Sequence, residues 1–314
     1  MTAQRFFTHP YGIAASASAC ALLWGSAFPA IKASYAALDI RPEETSELLW
    51  FAGIRFFLAS LLILGFLRVL NEPVRLRRAA LLPMLRVGAF QTFLQYCLFY
   101  FGLSLSTGSQ GAVISGTTSF FQMLFAHMLY KDDKLSARKI AGLFIGFAGV
   151  AAVNITEGAS LFRFGVGEAC LLAAMAAAGI GNVFAKEESA SIPVAYLTGY
   201  QMLFGAVGLM IAGTAFGGVR TFHFVPATAG LLAYLAVLSA AGFVLWNTIM
   251  KYNRVGNVSM YLFLIPVFGV ALSSMLLNEP FHLFVLLGLL LVAAGIVIVH
   301  RKRPAEEPKV GHTG

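Results

Sequence analysis

The chain has 314 residues, of which 59% are hydrophobic and 11% charged, and its mean hydropathy is +0.79. So apolar a composition cannot cover a water-soluble surface of this size, which places most of the chain in lipid. We attribute the net charge of +8 to the membrane topology and to attraction for anionic lipid headgroups. Nucleic acid is not an expected partner, because the basic residues are scattered over several loops and a tail and form no single basic face.

Apolar segments long enough to cross a bilayer fill nearly the whole chain, since a hydrocarbon core needs roughly 20 helical residues. The segments lack the period-two alternation of barrel strands, so we expect helices. The sequence therefore predicts an all-α integral membrane protein with ten transmembrane helices. The predicted spans 1 to 10 are 12–34, 48–70, 79–104, 108–130, 137–155, 166–186, 192–215, 226–250, 255–277 and 281–299.

Lysine and arginine predict the orientation. Most of the 22 basic residues fall in alternate loops and in the two termini, and such loops face the cytoplasm. Both termini are therefore expected there: residues 1–11 as a cytoplasmic N-terminus and 300–314 as a disordered cytoplasmic tail.

Cys20, Cys97 and Cys170 all lie inside predicted spans and are odd in number, which argues against a disulfide framework.

The two halves of the chain resemble each other in sequence. When they are aligned, the following pairs coincide: Gly142 with Gly288, Gly149 with Gly295, Asp133 with Glu279, and Arg55 with Gln201. An odd number of spans in each half would invert the second copy, which is typical of transporters. We therefore predict two inverted five-helix repeats, 12–155 and 166–299, joined by a linker at 156–165.

Polar residues near the middle of the predicted spans mark a candidate substrate cavity, because uncompensated polar side chains are costly in lipid. Amides, hydroxyl groups and aromatic rings in an apolar cavity suit a small neutral or zwitterionic solute. The candidate substrate-binding residues are Trp24, Ser26, Gln91, Gln95, Tyr96, Tyr100, Ser115, Thr118, Gln122, Asn182, Trp246, Asn247 and Tyr261. On span 4, the residues Ser115, Thr118, Ser119 and Gln122 have the spacing of one helical stripe.

Structural roles stay open for several of these residues. Serine and threonine hydroxyl groups in a span can bond to their own backbone, and Trp24 and Trp246 can pack or anchor at an interface. Arg55 and Arg86 lie inside spans, where they can snorkel, form an ion pair (for Arg55 with Glu44 or Glu47) or recognise an anion. His127 is expected to be a satisfied or hydrated histidine.

All fourteen acidic residues lie in loops, tails or span ends. A proton-driven exporter of cationic drugs generally needs a buried acid that titrates. We therefore expect a facilitator, or a carrier whose coupling does not rest on a carboxylate in the middle of the membrane.

Short motifs give the chain a recognisable resemblance. They are Trp24-Gly25-Ser26-Ala27-Phe28 with Lys32, Arg55-Phe56, and an acid before a Gly-x6-Gly helix in each half: Asp133 with Gly142 and Gly149, and Glu279 with Gly288 and Gly295. With these motifs the chain resembles the EamA family of the drug/metabolite transporter superfamily, and most of all the bacterial aromatic-amino-acid exporters. Phe120 stands where the second half has Pro266, and Asp133 replaces a more usual glutamate.

The resemblance implies an inverted-repeat carrier of the bacterial inner membrane with a central cavity. Members of this family export amino acids, nucleosides or other metabolites. We expect alternating access, with spans 3 and 4 moving against spans 8 and 9. Efflux of drugs or nucleosides by the same fold stays open as an alternative.

A membrane enzyme is the alternative from a different class. The chain has no H-E-x-x-H pair and no G-x-S-x-G elbow, so catalysis is not expected. It also has no glycine-rich phosphate loop, so neither ATP nor any other cofactor is expected. The expected partners are a small-molecule substrate and membrane lipid.

Overall fold

A computed structural model describes residues 3–41, 43–106, 111, 114–153, 165–219, 221–277 and 284–300, and its regular elements in these ranges are all helical. The α-helices are α1 (Ala3–Thr8), α2 (Pro10–Ala37), α3 (Thr45–Val69), α4 (Arg78–Gly88), α5 (Gln95–Ser104), α6 (Thr118–Leu129), α7 (Ala137–Val153), α8 (Val166–Glu188), α9 (Val194–Gly217), α10 (Pro226–Tyr252), α11 (Val255–Val258), α12 (Leu264–Leu277) and α13 (Phe284–His300).

Within the described ranges, six helical segments are long and apolar enough to cross a membrane. They are Pro10–Ala37, Thr45–Val69, Val166–Glu188, Val194–Gly217, Pro226–Tyr252 and Val255–Leu276. The all-α membrane fold is thereby confirmed, whereas the number of ten spans stays a prediction. Most of the predicted linker and nearly all of the predicted tail lie outside the described residues, as does Glu279.

The packing of the helices repeats in the two halves. In the first half α2 lies against α10 and α12, and in the second half its counterpart α8 lies against α5 and α6. The counterparts α3 and α9 pack along each other, as do α7 and α13. Exchanging each helix for its counterpart therefore reproduces the same set of contacts, as a two-fold relation between the halves requires.

Glycines bring α7 and α13 into close contact. A Cβ atom on Gly142 would lie 2.9 Å from the carbonyl oxygen of Gly295, and one on Gly149 would lie 2.8 Å from that of Gly288. Gly288 aligns with Gly142, and Gly149 aligns with Gly295. The second contact is therefore the counterpart of the first. Small residues of this kind allow helix backbones in lipid to approach closely.

Two predicted spans contain irregular turns. Span 3 consists of α4, a π-helical segment at Ala89–Leu94, and α5. Span 9 consists of α11, a 3₁₀ segment at Ser259–Phe263, and α12. Pro266 lies in the first turn of α12, where a missing N–H group is tolerated, so the helix breaks before the proline and not at it. Segments of both kinds often mark functional sites.

The N-terminal segment contains a short helix that was not predicted from the sequence. Residues 3–8 form α1, and the ring of Phe7 stacks on that of Tyr252 with 6.3 Å between their centroids. The Nδ2 group of Asn253 donates a hydrogen bond of 2.8 Å to the carbonyl oxygen of Phe7. These contacts tie α1 to the C-terminal end of α10.

Alanine at Gly142 tests the close packing of α7 on α13. Gly142→Ala is expected to lower the unfolding temperature by several degrees, because the new Cβ would push Gly295 away at a cost of about 1 to 3 kcal/mol. Gly65→Ala is the matched control, since a Cβ at Gly65 meets no atom within 4 Å and alanine favours the helix. Thermal unfolding in detergent compares the two variants; a Gly142→Ala protein as stable as Gly65→Ala would contradict the packing.

Candidate functional site

Four buried amide side chains form one hydrogen-bonded chain between the two repeats. The Nε2 group of Gln91 donates to Asn182 Oδ1 at 2.7 Å and to Asn247 Oδ1 at 3.0 Å. The Nδ2 group of Asn182 donates to Gln122 Oε1 at 2.6 Å. We call Gln91, Gln122, Asn182 and Asn247 the amide chain; it joins the π segment, α6, α8 and α10.

Hydroxyl groups terminate the amide chain at both ends. Asn247 Nδ2 donates to Thr198 Oγ1 at 3.0 Å on α9, and Gln122 Nε2 donates to Ser259 Oγ at 2.8 Å in the 3₁₀ segment. The Ser119 hydroxyl group donates to the carbonyl oxygen of Ser259 at 2.9 Å. Residues from six helical segments are therefore held in one continuous polar network.

The amide chain is sealed from solvent. Gln91, Gln122 and Asn247 are fully buried, and Asn182 is 7% exposed. Amides in an apolar environment are stable only when they are hydrogen-bonded, and here the side chains satisfy one another. These hydrogen bonds therefore allow the four amides to be buried between the two repeats.

The amide chain lies close to one end of the helix bundle. We call this the basic end, and define it by Arg86, Lys139, Lys186 and Arg254. Arg86 pairs there with Glu187 and Glu188, at 2.9 and 2.5 Å, and its guanidinium lies 4.3 Å from the centroid of the Phe184 ring. Gln91 lies five residues beyond Arg86 on one helix, and Asn182 five residues before Glu187 on the other. The amide chain is therefore about 7.5 Å inside this layer of ion pairs.

An aromatic cluster follows on the side away from the basic end. Its members are Trp24, Phe56, Tyr96, Tyr100, Phe243 and Trp246. The cluster is contiguous: successive ring centroids are 5.8 Å apart for Trp246 and Trp24, 5.3 Å for Trp24 and Phe243, 6.2 Å for Phe243 and Phe56, 4.5 Å for Phe56 and Tyr96, and 6.2 Å for Tyr96 and Tyr100. Such a surface suits an apolar or planar solute.

Two donors in the aromatic cluster are unused. The indole N–H groups of Trp24 and Trp246 are buried and have no hydrogen-bond partner among the residues that the structure describes. Buried indole groups normally find a partner. The cluster therefore contains hydrogen-bond donors as well as apolar rings.

Eight of the sequence candidates lie in these two layers. Four belong to the amide chain (Gln91, Gln122, Asn182 and Asn247) and four to the aromatic cluster (Trp24, Tyr96, Tyr100 and Trp246). The other candidates have separate environments. Ser26 contacts Tyr234 through a hydroxyl–hydroxyl hydrogen bond of 2.7 Å, and Gln95 is half-buried. A turn at Gly116 and Thr117 separates Ser115 from α6. Tyr261 is buried in the 3₁₀ segment.

The residues of the predicted stripe on span 4 have different partners in the structure. Ser119 and Gln122 join the polar network, whereas the Thr118 hydroxyl group donates to the carbonyl oxygen of Ser115 at 2.8 Å and contacts Met175 Sδ. Thr118 thus follows the alternative in which a hydroxyl group bonds to nearby backbone.

Four members of these layers were not among the candidates from the sequence: Thr198, Ser259, Phe56 and Phe243. A signal for Thr198 was present, because it lies one helical turn before Gln201 and gives α9 two polar residues on one face. Apolar rings such as Phe243 cannot be told from ordinary packing residues without the fold.

His127 is satisfied, since its Nδ1 accepts a hydrogen bond from the backbone N–H group of Leu135.

Among the described residues, no three histidine, cysteine, aspartate or glutamate side chains come together as metal ligands. The candidate site consists of neutral amides, hydroxyl groups and aromatic rings. An arrangement of this kind can bind a solute and release it.

Known proteins share this architecture. The chain is 28% identical over 296 residues to the uncharacterized transporter YvbV of Bacillus subtilis, with 91% of this chain and 90% of that protein aligned. It is 24% identical over 292 residues to an Escherichia coli protein named a probable amino-acid metabolite efflux pump, with 88% and 91% aligned. A protein of known crystal structure has the same fold, with a TM-score of 0.73 at 14% identity and coverage of 91% and 96%.

Both halves of the chain match one family. The match to the EamA-like transporter family covers residues 12–155 and again 165–301. The helical membrane fold, the duplicated segments and the similarity to transporters over nearly the whole chain agree. The chain belongs to the EamA-like transporter family.

Proposed function

We propose that the protein carries a small neutral or zwitterionic metabolite, in the first place an amino acid, across the membrane by alternating access. The amide chain is the observation that carries the proposal. Gln91 and Gln122 come from one repeat, and Asn182 and Asn247 from the other. If the repeats separate at the basic end, these amides lose their partners and become available to a polar solute.

The proposal includes a topology of ten spans in two inverted repeats, 12–155 and 166–299, in the bacterial inner membrane. The basic end then faces the cytoplasm, because lysine and arginine concentrate on that side. In this orientation the amide chain closes the cytoplasmic side. The aromatic cluster lies beyond it, near the middle of the membrane.

The aromatic cluster and the relatives support amino acids as substrates. Trp24, Tyr96 and Phe243 offer apolar surface, and the indole N–H groups of Trp24 and Trp246 offer donors. The similar protein of E. coli is named a probable amino-acid metabolite efflux pump. Aromatic amino acids combine a planar side chain with polar groups and therefore fit this surface well.

The position of the acids favours transport without a titrating carboxylate in the membrane centre. Two acids are buried in the described part of the chain. Asp133 lies in the loop between α6 and α7, and Glu168 lies in the first turn of α8. Asp133 accepts a hydrogen bond from the Gly256 N–H group and pairs with Lys139, whereas Glu168 accepts one from the Gly165 N–H group. Both are engaged in structural hydrogen bonds, so we propose facilitated passage down a solute gradient.

Counterflow through purified protein in proteoliposomes tests the proposed function. We expect labelled phenylalanine to accumulate in vesicles preloaded with unlabelled phenylalanine, with no pH gradient imposed. Tryptophan, methionine, threonine, a purine nucleoside and a cationic dye complete the panel, and protein-free vesicles are the control. Exchange of the nucleoside or dye alone would replace amino acids as the substrate class, and a strict requirement for a pH gradient would refute facilitated passage.

Substitution of Asn182 tests the amide chain as a cytoplasmic gate. Asn182→Ala removes one partner of Gln91 and one of Gln122, so the closed state should lose about 1 to 2 kcal/mol. Cys20 reports the opening: it is buried, and its Sγ lies 3.6 Å from the carbonyl oxygen of Gly242, on the far side of Asn247 from the basic end. In a background with Cys97 and Cys170 replaced by serine, we expect Cys20 to react several-fold faster with an impermeant maleimide.

The acceleration should occur in inverted vesicles and not in intact cells, because the gate faces the cytoplasm. Thr248→Ala is the matched control, since Thr248 neighbours Asn247 but donates to the Val244 carbonyl oxygen of its own helix. Equal labelling rates in the wild type and Asn182→Ala would show that the amide chain is not a gate.

A further inference from the structure

Arg55 lies in the middle of a membrane helix and is buried. It is ten residues from the start of α3 and fourteen from its end, which places it about 15 Å from one end of the helix. Only 3% of its surface is exposed. The side chain therefore does not snorkel to the membrane surface, which was one of the expectations from the sequence.

No described carboxylate neutralises Arg55. Glu47 lies eight residues away on the same helix, about 12 Å along its axis, and Glu44 accepts a hydrogen bond from the Arg41 backbone. The expected ion pair with Glu44 or Glu47 is thereby excluded. The guanidinium donates one described hydrogen bond, from Nε to Ser239 Oγ at 2.8 Å, and lies 5.0 Å from the centroid of the Phe56 ring.

The other repeat shows what this position needs for packing alone. Gln201 aligns with Arg55, and its Oε1 accepts a hydrogen bond of 2.8 Å from the Thr92 hydroxyl group. Both contacts join the second span of one repeat to the third span of the other, through a hydroxyl group in each case. The Nε2 group of Gln201 is buried without a described acceptor, so only its oxygen makes the contact. A neutral side chain therefore makes the equivalent contact, and that contact does not require the positive charge of Arg55.

Arg55 also borders the aromatic cluster. Phe56 follows it on α3, and the rings of Tyr96 and Phe243 pack on Phe56. The guanidinium has five N–H donors, of which one is used by Ser239. The fork of the remaining donors matches the two oxygens of a carboxylate.

We propose that Arg55 binds the carboxylate of the transported solute, with the apolar part of that solute against the aromatic cluster. The inference names the chemical class of the substrate and rests on the proposed transport function. Charge supports it, because the solute would neutralise a buried cation that no described acid pairs with. A zwitterion or a simple organic acid fits, and a solute without an anionic group does not.

Calorimetric titration with two probes tests this assignment. The probes are 3-phenylpropionate and its neutral counterpart 3-phenylpropanamide, which differ in the carboxylate alone. We expect the wild-type protein to bind the carboxylate at least tenfold more tightly than the amide. Arg55→Gln should abolish that preference, and it should fold, because glutamine occupies the equivalent position in the other repeat.

Two further variants separate charge from packing. Arg55→Lys keeps the charge and should retain part of the preference for the carboxylate. Gln201→Leu breaks the equivalent contact with Thr92 and should lower the unfolding temperature without changing the preference. A wild type without preference, or an Arg55→Gln protein that keeps it, would overturn the assignment.

The two proposals can fail separately. Preference for the carboxylate that depends on Arg55, in a protein that shows no counterflow, would support this assignment and refute transport of the tested solutes. Phenylalanine counterflow with an unchanged KM in Arg55→Gln would support transport and refute the role of Arg55.

Discussion

The absence of water from the bilayer interior is the constraint on which the rest of this structure depends. A polar side chain there must find a partner in the protein, since lipid offers none. Gln91, Gln122, Asn182 and Asn247 meet this requirement by bonding to one another, and Thr198 and Ser259 complete the network. The same constraint makes two features informative: the indole groups without a described acceptor and the guanidinium of Arg55, which no described acid neutralises. Such groups are costly unless something binds them.

Duplication relates the helices around the proposed solute path, and the differences between the repeats point to its proposed chemistry. Gly142 on Gly295 and Gly149 on Gly288 are equivalent contacts through which α7 and α13 pack closely. The contact between Arg55 and Ser239 is likewise equivalent to that between Gln201 and Thr92, yet only one of the two carries a charge. We therefore assign the symmetric contacts to the packing of the helices, and the charge that occurs in one repeat only to the proposed binding of the solute.

Much of this could be predicted from the sequence, because lipid imposes a strong pattern. Helix positions follow from apolar length, and the four amides stood out since few polar residues occur in mid-span. Three features could not be predicted for physical reasons. The π segment that carries Gln91 depends on local backbone geometry, the location of Arg55 depends on where α3 begins, and Phe243 differs from a packing residue only in its neighbours. Thr118 satisfied its hydroxyl group locally, which spacing alone cannot reveal.

A gate made of neutral hydrogen bonds is suited to repeated opening. Interhelical hydrogen bonds in membranes contribute about 0.6 kcal/mol each. The three shortest bonds among the amides would therefore favour closure of the proposed gate by only about 2 kcal/mol. The neighbouring pairs of Arg86 with Glu187 and Glu188 are partly exposed and add little. Binding of a solute can supply a difference of this size between two conformations. A gate closed by deeply buried ion pairs would leave unpaired charges in lipid on opening, whereas amides that separate can bond to water or to the solute.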